Sequence, residues 1–244
     1  MKLLWLDVET NSLDPLTGRL LEVAATATDL EHPFEMTGTV VQGVLPVAPE
    51  EASIFDAFIK EMHTKNGLLI DCLHRDVALW TAEKSRLKSP ERREAKRFPA
   101  RYYEATAALE EWLLALIPPK VEGDRDSLSC LAGSSVHFDL AFLRVHMPRL
   151  AASLSHRVYD VSSVKLFCRS LGMPKLPPEE AHRAWPDVME SIRHAEACAA
   201  WLAKSYRGYV LAHKPASIPC TQGGYEVIGD NGQRGVISAN PEKP

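Results

Sequence analysis

The sequence predicts an α/β layer fold in which helices flank a mixed sheet whose first three strands are antiparallel. Three apolar, β-tolerant runs follow one another within the first 41 residues, and such close succession favours an antiparallel meander. Amphipathic helical segments then alternate with two short strand-like runs. A series of strands followed by mixed helices and strands is typical of this class of fold.

The first strand is predicted from the apolar run at residues 3–6, which indicates a buried strand closed by Asp7 and Glu9. Side chains two positions apart on a strand point to the same side, so both carboxylates are expected to face one point. Adjacent carboxylates repel each other and are costly to desolvate, and a divalent cation removes that cost. Turn-forming residues 11–15 follow, and the next two strands are predicted at residues 19–28 and 37–41.

Apolar residues at helical spacing predict the flanking helices. One helix is predicted over residues 49–63, where the apolar stripe consists of Ile54, Phe55, Phe58, Ile59 and Met62. The other predicted helices span residues 102–117, 137–146, 161–171 and 187–206, and two short strands are predicted at residues 127–132 and 157–159.

Composition places the chain among ordinary globular proteins, with 45% hydrophobic and 25% charged residues. A net charge of −4 and a pI near 6.1 argue against a generally basic nucleic-acid coat, but they allow a local basic groove or an acidic metal site. The five cysteines lack paired or Cys-x-x-Cys spacing, which suggests a reducing compartment. We see no signal peptide and no membrane-length apolar run, so the expected location is cytoplasmic.

Two segments stand apart from the predicted core at residues 1–207. A basic insertion at about residues 79–101 carries eight Lys and Arg residues between 84 and 101, typical of a solvated helix, a mobile loop or an arm that grips phosphates. The C-terminal extension, residues 208–244, is predicted to be partly flexible or a β-hairpin. In the hairpin, residues 225–228 and 235–238 flank an Asn-Gly turn.

Three further residues complete a candidate site. Asp139 follows a predicted strand-to-helix turn, and His182 and Asp187 stand just before and at the start of the last long helix. Each alone has an ordinary interpretation, since an acid at a helix N-terminus is stabilised by the helix dipole. Together with Asp7 and Glu9 they supply four acids and one titratable base. Two-metal phosphodiester hydrolysis needs this set, with two divalent ions roughly 4 Å apart and an imidazole to take a proton.

This set resembles the DEDDh 3′-5′ exonucleases, which have a ribonuclease H-like fold, and within them it is similar to the oligoribonucleases. The likeness covers residue 3 to about residue 206 apart from the basic insertion, and it includes the runs at 63–68, 132–135, 147–150 and 156–162. The resemblance implies two bound Mg²⁺ or Mn²⁺ ions, with His182 as the general base. The metal ligands that it implies are Asp7, Glu9, Asp139 and Asp187.

The resemblance also implies a substrate, short single-stranded RNA hydrolysed to nucleoside 5′-monophosphates, and a homodimer. The implied cap on the terminal 5′ phosphate consists of Ser135, His63, Ser162 and, from a second subunit, Arg157. Leu13 matches the position of an apolar wedge residue in the family. Phe58 matches the position of an aromatic residue that stacks on a base. Ordinary interpretations remain open, because Leu13 and Phe58 can belong to the core and Ser162 can be a helix cap.

The sequence departs from the family pattern at Asn11-Ser12, where Thr-Gly is usual, and at His156, which replaces a tyrosine. The basic insertion and the C-terminal extension have no counterpart in a compact oligoribonuclease. Our first hypothesis is a metal-dependent 3′-5′ exonuclease acting on short RNA. One alternative is a single-stranded DNA or proofreading-type exonuclease in which the insertion guides a longer strand. Another is a catalytically silent module that binds nucleic acid or protein.

Overall fold

The structure is a computed structural model. It describes residues 1–36, 38–73, 78–83, 93–97, 102–121, 123, 128–177, 182–212, 224–228 and 234–238. The strands are β1 (Lys2–Thr10), β2 (Leu20–Asp29), β3 (Thr39–Val44), β4 (Ala78–Glu83), β5 (Arg93–Arg97), β6 (Ser129–Gly133), β7 (Leu154–Asp160), β8 (Gly224–Ile228) and β9 (Arg234–Ser238). The helices are α1 (Pro49–Ser53), α2 (Ala57–Lys65), α3 (Leu68–Leu73), α4 (Tyr102–Leu114), α5 (Val136–His146), α6 (Pro148–Ser153), α7 (Val161–Ser170) and α8 (Ala184–Ala212).

A seven-stranded mixed sheet has the strand order β5-β4-β3-β2-β1-β6-β7. β1, β2 and β3 form the predicted antiparallel meander, whereas β6 runs parallel to β1 and β7 parallel to β6. The α/β prediction is therefore confirmed, and the sheet with its flanking helices is consistent with a ribonuclease H-like fold. β4 and β5 extend the sheet beyond the meander as two further antiparallel strands.

Successive side chains of β1 point to opposite faces of the sheet, and each face packs against its own hydrophobic core. Leu4 and Leu6 pack in a cluster with residues of α4, α5 and α6, whereas Leu3 and Trp5 pack with residues of α7 and α8. Trp5 is fully buried, and its indole N–H donates to the hydroxyl of Thr28 over 2.9 Å. The odd-numbered positions of β1 thus face α8, and this row continues into Asp7 and Glu9.

The prediction of one helix over residues 49–63 is wrong. The segment forms α1 and α2, and the carboxylate of Asp56 caps α2 by accepting from the backbone N–H of Phe58. The apolar stripe does not form a core face, since Ile54 is 83% and Phe58 72% exposed, while Phe55 is buried. The predicted helix is interrupted because α1 ends at Ser53 and Asp56 starts a second helix as its N-cap, which apolar spacing alone does not predict.

The interpretation of the basic segment as a helix or a loop is wrong for residues 93–97, which form β5 against β4. Its residues 84–92 and 98–101 lie outside the described ranges. Other boundaries shift by a few residues: α4 ends at Leu114, and α8 begins three residues before its predicted start. The short helices α3 and α6 were not predicted. None of the described helices combines the length and hydropathy required to cross a bilayer.

The chain divides into two compact units, Met1–Ala199 and Ala200–Pro244, and α8 contributes residues to both. In the second unit β8 and β9 pair antiparallel, with Gly224 opposite Ser238 and Ile228 opposite Arg234. The predicted Asn-Gly turn between them lies outside the described residues.

Candidate active site

Three predicted acids converge where β1 ends and α8 begins. Asp7, Glu9 and Asp187 each offer a carboxylate oxygen, and these oxygens all lie within 4.8 Å of one another. Asp7 and Glu9 belong to the row of β1 that faces α8, and Asp187 lies in the first turn of that helix. Glu9 is buried and the other two are half-buried. Three hard oxygen donors in one place are the ligand type that Mg²⁺ and Mn²⁺ bind.

The electrostatics of this carboxylate cluster are unfavourable without a cation. Burial, followed by the charges of Asp187 and Glu22, raises the pKa of Glu9 to about 8. Burial and the charges of the neighbouring acids, Asp139 first, raise the pKa of Asp7 well above its usual range. Burial also raises the pKa of Asp187 to about 6. Strongly shifted acids in one cluster indicate a functional site, because a folded chain rarely keeps such repulsion unless a ligand offsets it.

Asp139 lies next to this cluster but differs from it in its contacts. It is buried in the first turn of α5, and its Oδ1 accepts from the backbone N–H of Val8 over 3.0 Å. Burial raises its pKa to about 7, and the hydrogen bond from Val8 opposes that shift. Asp139 is thus anchored to the strand between Asp7 and Glu9. Its role as a metal ligand stays a prediction.

His182 lies on an exposed loop directly before α8 and has a left-handed backbone conformation with φ of +44°. Its carbonyl accepts from the side-chain amide of Asn66. The imidazole stands close enough to Asp187 that its charge lowers the pKa of that acid. His182 lines a cleft of about 570 Å³, whose other lining residues are Phe58, Glu61, Met62, Lys65, Asn66 and Arg183. The predicted base therefore stands beside both the carboxylate cluster and an open cleft.

Two residues that sequence reasoning missed complete the site. Glu22 on β2 is fully buried and accepts from Arg183 through both carboxylate oxygens, at 2.9 Å from Nε and 2.9 Å from Nη2. The same carboxylate accepts from the backbone N–H of Ala184 at 3.0 Å and from the side chain of Gln42 at 2.7 Å. A signal was present, because Glu22 is an acid inside an apolar strand and Arg183 directly follows the candidate base.

The two predicted phosphate-cap serines meet. The hydroxyl of Ser135 lies 3.0 Å from the hydroxyl of Ser162, and both backbone N–H groups donate to Oδ1 of Asp160, at 2.8 Å and 3.2 Å. Ser135 adopts a left-handed conformation with φ of +58°. Gly133 shapes the turn before it, since an added Cβ would lie 2.7 Å from the carbonyl oxygen of Leu6. The interpretation of Ser162 as a helix cap is wrong, because Asp160 caps α7 and accepts from the backbone N–H of Ser162.

The other predicted substrate residues fall into buried and exposed groups. His63 is fully buried, and its Nε2 donates to the carbonyl of Thr10 over 3.0 Å, while burial lowers its pKa. Its Nδ1 has no hydrogen-bond partner among the described residues. Leu13 and Phe58 are 82% and 72% exposed, so the interpretation of either as a core residue is wrong. Arg157 lies on the exposed part of β7. The roles of all four in substrate binding stay predictions.

Comparison with known proteins identifies relatives. The chain is 32% identical over 200 residues to an oligoribonuclease of Corynebacterium diphtheriae, covering 80% of each chain. It is also 32% identical to an oligoribonuclease of Corynebacterium glutamicum, over 80% of this chain and 77% of the relative. An oligoribonuclease of Mycolicibacterium paratuberculosis is 30% identical over 201 residues, covering 80% of this chain and 78% of the relative. No protein-family model matches the chain.

Proposed function

The chain belongs to the oligoribonuclease family, and from that premise we propose that it is a metal-dependent 3′-5′ exonuclease of the DEDDh type. Its substrates are short single-stranded oligoribonucleotides, and its products are nucleoside 5′-monophosphates. The observation that carries the proposal is the convergence of Asp7, Glu9 and Asp187 beside an exposed histidine and an open cleft.

The cofactors in this proposal are two Mg²⁺ or Mn²⁺ ions. The residues fit such ions, because the cluster offers only carboxylate oxygens and its acids have pKa values raised by burial and mutual repulsion. Asp7, Glu9 and Asp187 would hold them, with Asp139 as the fourth ligand. When bound, divalent ions hold the scissile phosphate, activate water and neutralise the leaving oxygen.

His182 acts as the general base. Its exposed imidazole accepts the proton of the attacking water through a ring nitrogen. Without a cation, burial and the neighbouring acids raise the pKa of Glu9 to about 8, so the protonated form of this carboxyl is favoured at neutral pH. A separate, exposed base keeps proton transfer independent of the ligand carboxylates.

The cleft and its rim bind the substrate. Phe58 lines the cleft with its ring largely exposed, which suits stacking on a base, and every base offers a π-face. Leu13 is an exposed apolar wedge, and the paired hydroxyls of Ser135 and Ser162 face a terminal phosphate. His63 is the third predicted member of the cap, and it is buried at the end of β1, where its Nε2 donates to the carbonyl of Thr10.

The active form in this proposal is a homodimer in which Arg157 of one subunit reaches the phosphate cap of the other. Support comes from exposed apolar residues on β7, on α7 and at the C-cap of α7: Val158, Leu166, Phe167 and Leu171 are 44–66% exposed. Burying such apolar surface against a second copy is favourable at about 25 cal/mol per Å². Light scattering should give twice the 27.1 kDa monomer mass, and Phe167→Asp should return the monomer. A monomeric wild type would contradict the homodimer.

The cytoplasm is the proposed location. The four described cysteines, Cys72, Cys130, Cys168 and Cys198, are free thiols, and a reducing compartment preserves such thiols.

The deciding experiment compares initial hydrolysis rates with Mn²⁺ on 5′-labelled RNA and DNA of two, five and twenty nucleotides. Fast cleavage confined to the shortest RNA supports the proposal. Equal or faster degradation of the twenty-mers favours the long-strand alternative, for which β5 supplies a basic strand, Arg93–Arg97, at the edge of the sheet. No hydrolysis, together with no Mn²⁺-induced rise in melting temperature, would identify a catalytically silent module.

A further inference from the structure

Arg183 joins the predicted base to the buried part of the sheet. Its guanidinium contacts both oxygens of Glu22 through Nε and Nη2, each over 2.9 Å, and Nη2 also lies 3.0 Å from the carboxylate of Asp71. Its Nη1 donates to the carbonyl of Asn66 over 3.5 Å. These contacts raise the pKa of Arg183 above its usual range, so the side chain is always charged.

The backbone on the C-terminal side of His182 is held, whereas its own side chain is exposed. Asn66 donates to the carbonyl of His182, and both Arg183 and the N–H of Ala184 bind Glu22. His182 has a left-handed backbone conformation, which is uncommon for a non-glycine residue and is maintained here beside these contacts. A free loop would relax to a commoner conformation and carry the imidazole away.

We propose that Arg183 is a positioning residue for the reaction: locked onto Glu22, it holds the exposed imidazole of His182 in line with the carboxylate cluster. The inference rests on the proposed function, because it assigns His182 the role of base. Arg183 touches no reacting atom in this scheme, and it acts through the residue before it.

The geometry requires arginine at this position. A guanidinium presents two parallel N–H groups to the two oxygens of one carboxylate, which fixes both distance and angle. An ammonium would keep the charge but leave the orientation free, because it binds as a point charge on a flexible stem. Arg183→Lys should therefore preserve the fold better than it preserves the hydrolysis rate.

The test is a double-mutant cycle on His182 and Arg183, measured in single-turnover reactions on a dinucleotide RNA. In the wild-type background Arg183→Met should lower the hydrolysis rate about 10²-fold, the lower end of what a general base contributes. In the His182→Ala background the same change should lower the residual rate less than about twofold, as for residues that act as one unit. Equal losses in both backgrounds would overturn the proposal, because Arg183 would then act independently of His182.

Two controls separate positioning from general damage. Asp71→Asn removes the exposed partner of the same guanidinium and should leave the rate within about twofold, since exposed ion pairs contribute little. Arg183→Lys should retain the Mn²⁺-induced rise in melting temperature, yet lose about tenfold or more of the rate. If Arg183→Lys kept the full wild-type rate, the need for a guanidinium at this position would be contradicted.

A substrate-free measurement keeps this inference distinct from the proposed function. In NMR spectra the imidazole of His182 should give one narrow resonance in the wild type, and Arg183→Met should broaden or shift it. The N–H of Ala184, which donates to Glu22, should exchange faster in Glu22→Gln. If the wild type hydrolyses no nucleic acid, the proposed function fails, while an unchanged imidazole resonance in Arg183→Met would by itself overturn the positioning role.

Discussion

Two buried glutamates face each other across β1 and β2, and they have opposite surroundings. Glu9 pairs with Glu22 in the antiparallel register, and their side chains are 8% and 0% exposed. Glu22 accepts hydrogen bonds from a guanidinium, a backbone N–H and a side-chain amide. Glu9 instead faces Asp7 and Asp187, and its pKa rises to about 8.

The difference separates an acid that supports the fold from one that serves a ligand. Burying a charge is costly unless it is paired and hydrogen-bonded. The chain supplies the partner of Glu22 permanently, as Arg183, so this carboxylate has no oxygen left for a cation. Among the described residues Glu9 has no such hydrogen-bonded partner, and the charge of Arg183 offsets only part of the rise in its pKa. An uncompensated buried acid is therefore the stronger mark of a metal site, although both are acids on adjacent strands.

Replacing Glu9 should have the largest effect on function. Glu9→Gln should lower the hydrolysis rate by about 10³-fold or more, because a positioned charge in the transition state is lost. The Mn²⁺-induced rise in melting temperature should shrink. The metal-free protein should become more stable at pH 8, since a repelling charge is gone. A Glu9→Gln enzyme with normal activity would remove Glu9 from the metal site.

Replacing Glu22 should lower stability and leave the response to metal intact. Glu22→Gln leaves the charge of Arg183 without its buried partner, which should lower the free energy of unfolding by about 3 kcal/mol, or roughly 6–12 °C in melting temperature. The Mn²⁺-induced rise should persist in this variant. Thermal unfolding with and without Mn²⁺ checks both statements, and equal losses of metal response in Glu9→Gln and Glu22→Gln would erase the distinction between the two acids.

The pH dependence of stability should reveal the same distinction. Burial raises the pKa of Glu9 from 4.5 to about 8 and that of Asp187 from 3.8 to about 6. Between these values the native state binds more protons than the unfolded chain, so the metal-free protein should lose stability as pH rises from about 4 to 8. Melting temperatures in chelator at pH 5 and pH 8 test this. Glu9→Gln should flatten the slope, and Mn²⁺ should stabilise more at pH 8.

The smallest expected effect comes from Gln42, which donates one hydrogen bond to Glu22. Gln42→Met removes this bond while the ion pair with Arg183 remains, so unfolding should become easier by about 1 kcal/mol. Activity and the response to Mn²⁺ should match the wild type. A loss as large as that of Glu22→Gln would mean that the amide, and not the guanidinium, stabilises the buried carboxylate.

Local patterns predicted much of the sheet and part of the site. The apolar run of β1 predicted a strand, and its two-residue period placed Asp7 and Glu9 on one face. Helical spacing failed for the helix over residues 49–63, because Asp56 caps a new helix inside an apolar stripe. Phe58 was open to a core interpretation for the same reason. Apolar spacing indicates which side of a helix a residue lies on. Capping residues such as Asp56 decide where that helix begins and ends.

The sequence by itself determined the residue types and the strand at which the carboxylates begin, since both depend on neighbours in the chain. Only the tertiary structure decided that Asp187 meets Asp7 and Glu9, because α8 packs on the odd-numbered face of β1. It also decided that Glu22 is occupied by Arg183, which is 161 residues away along the chain. Whether a buried acid is compensated depends on what the fold brings against it, and no local pattern carries that information.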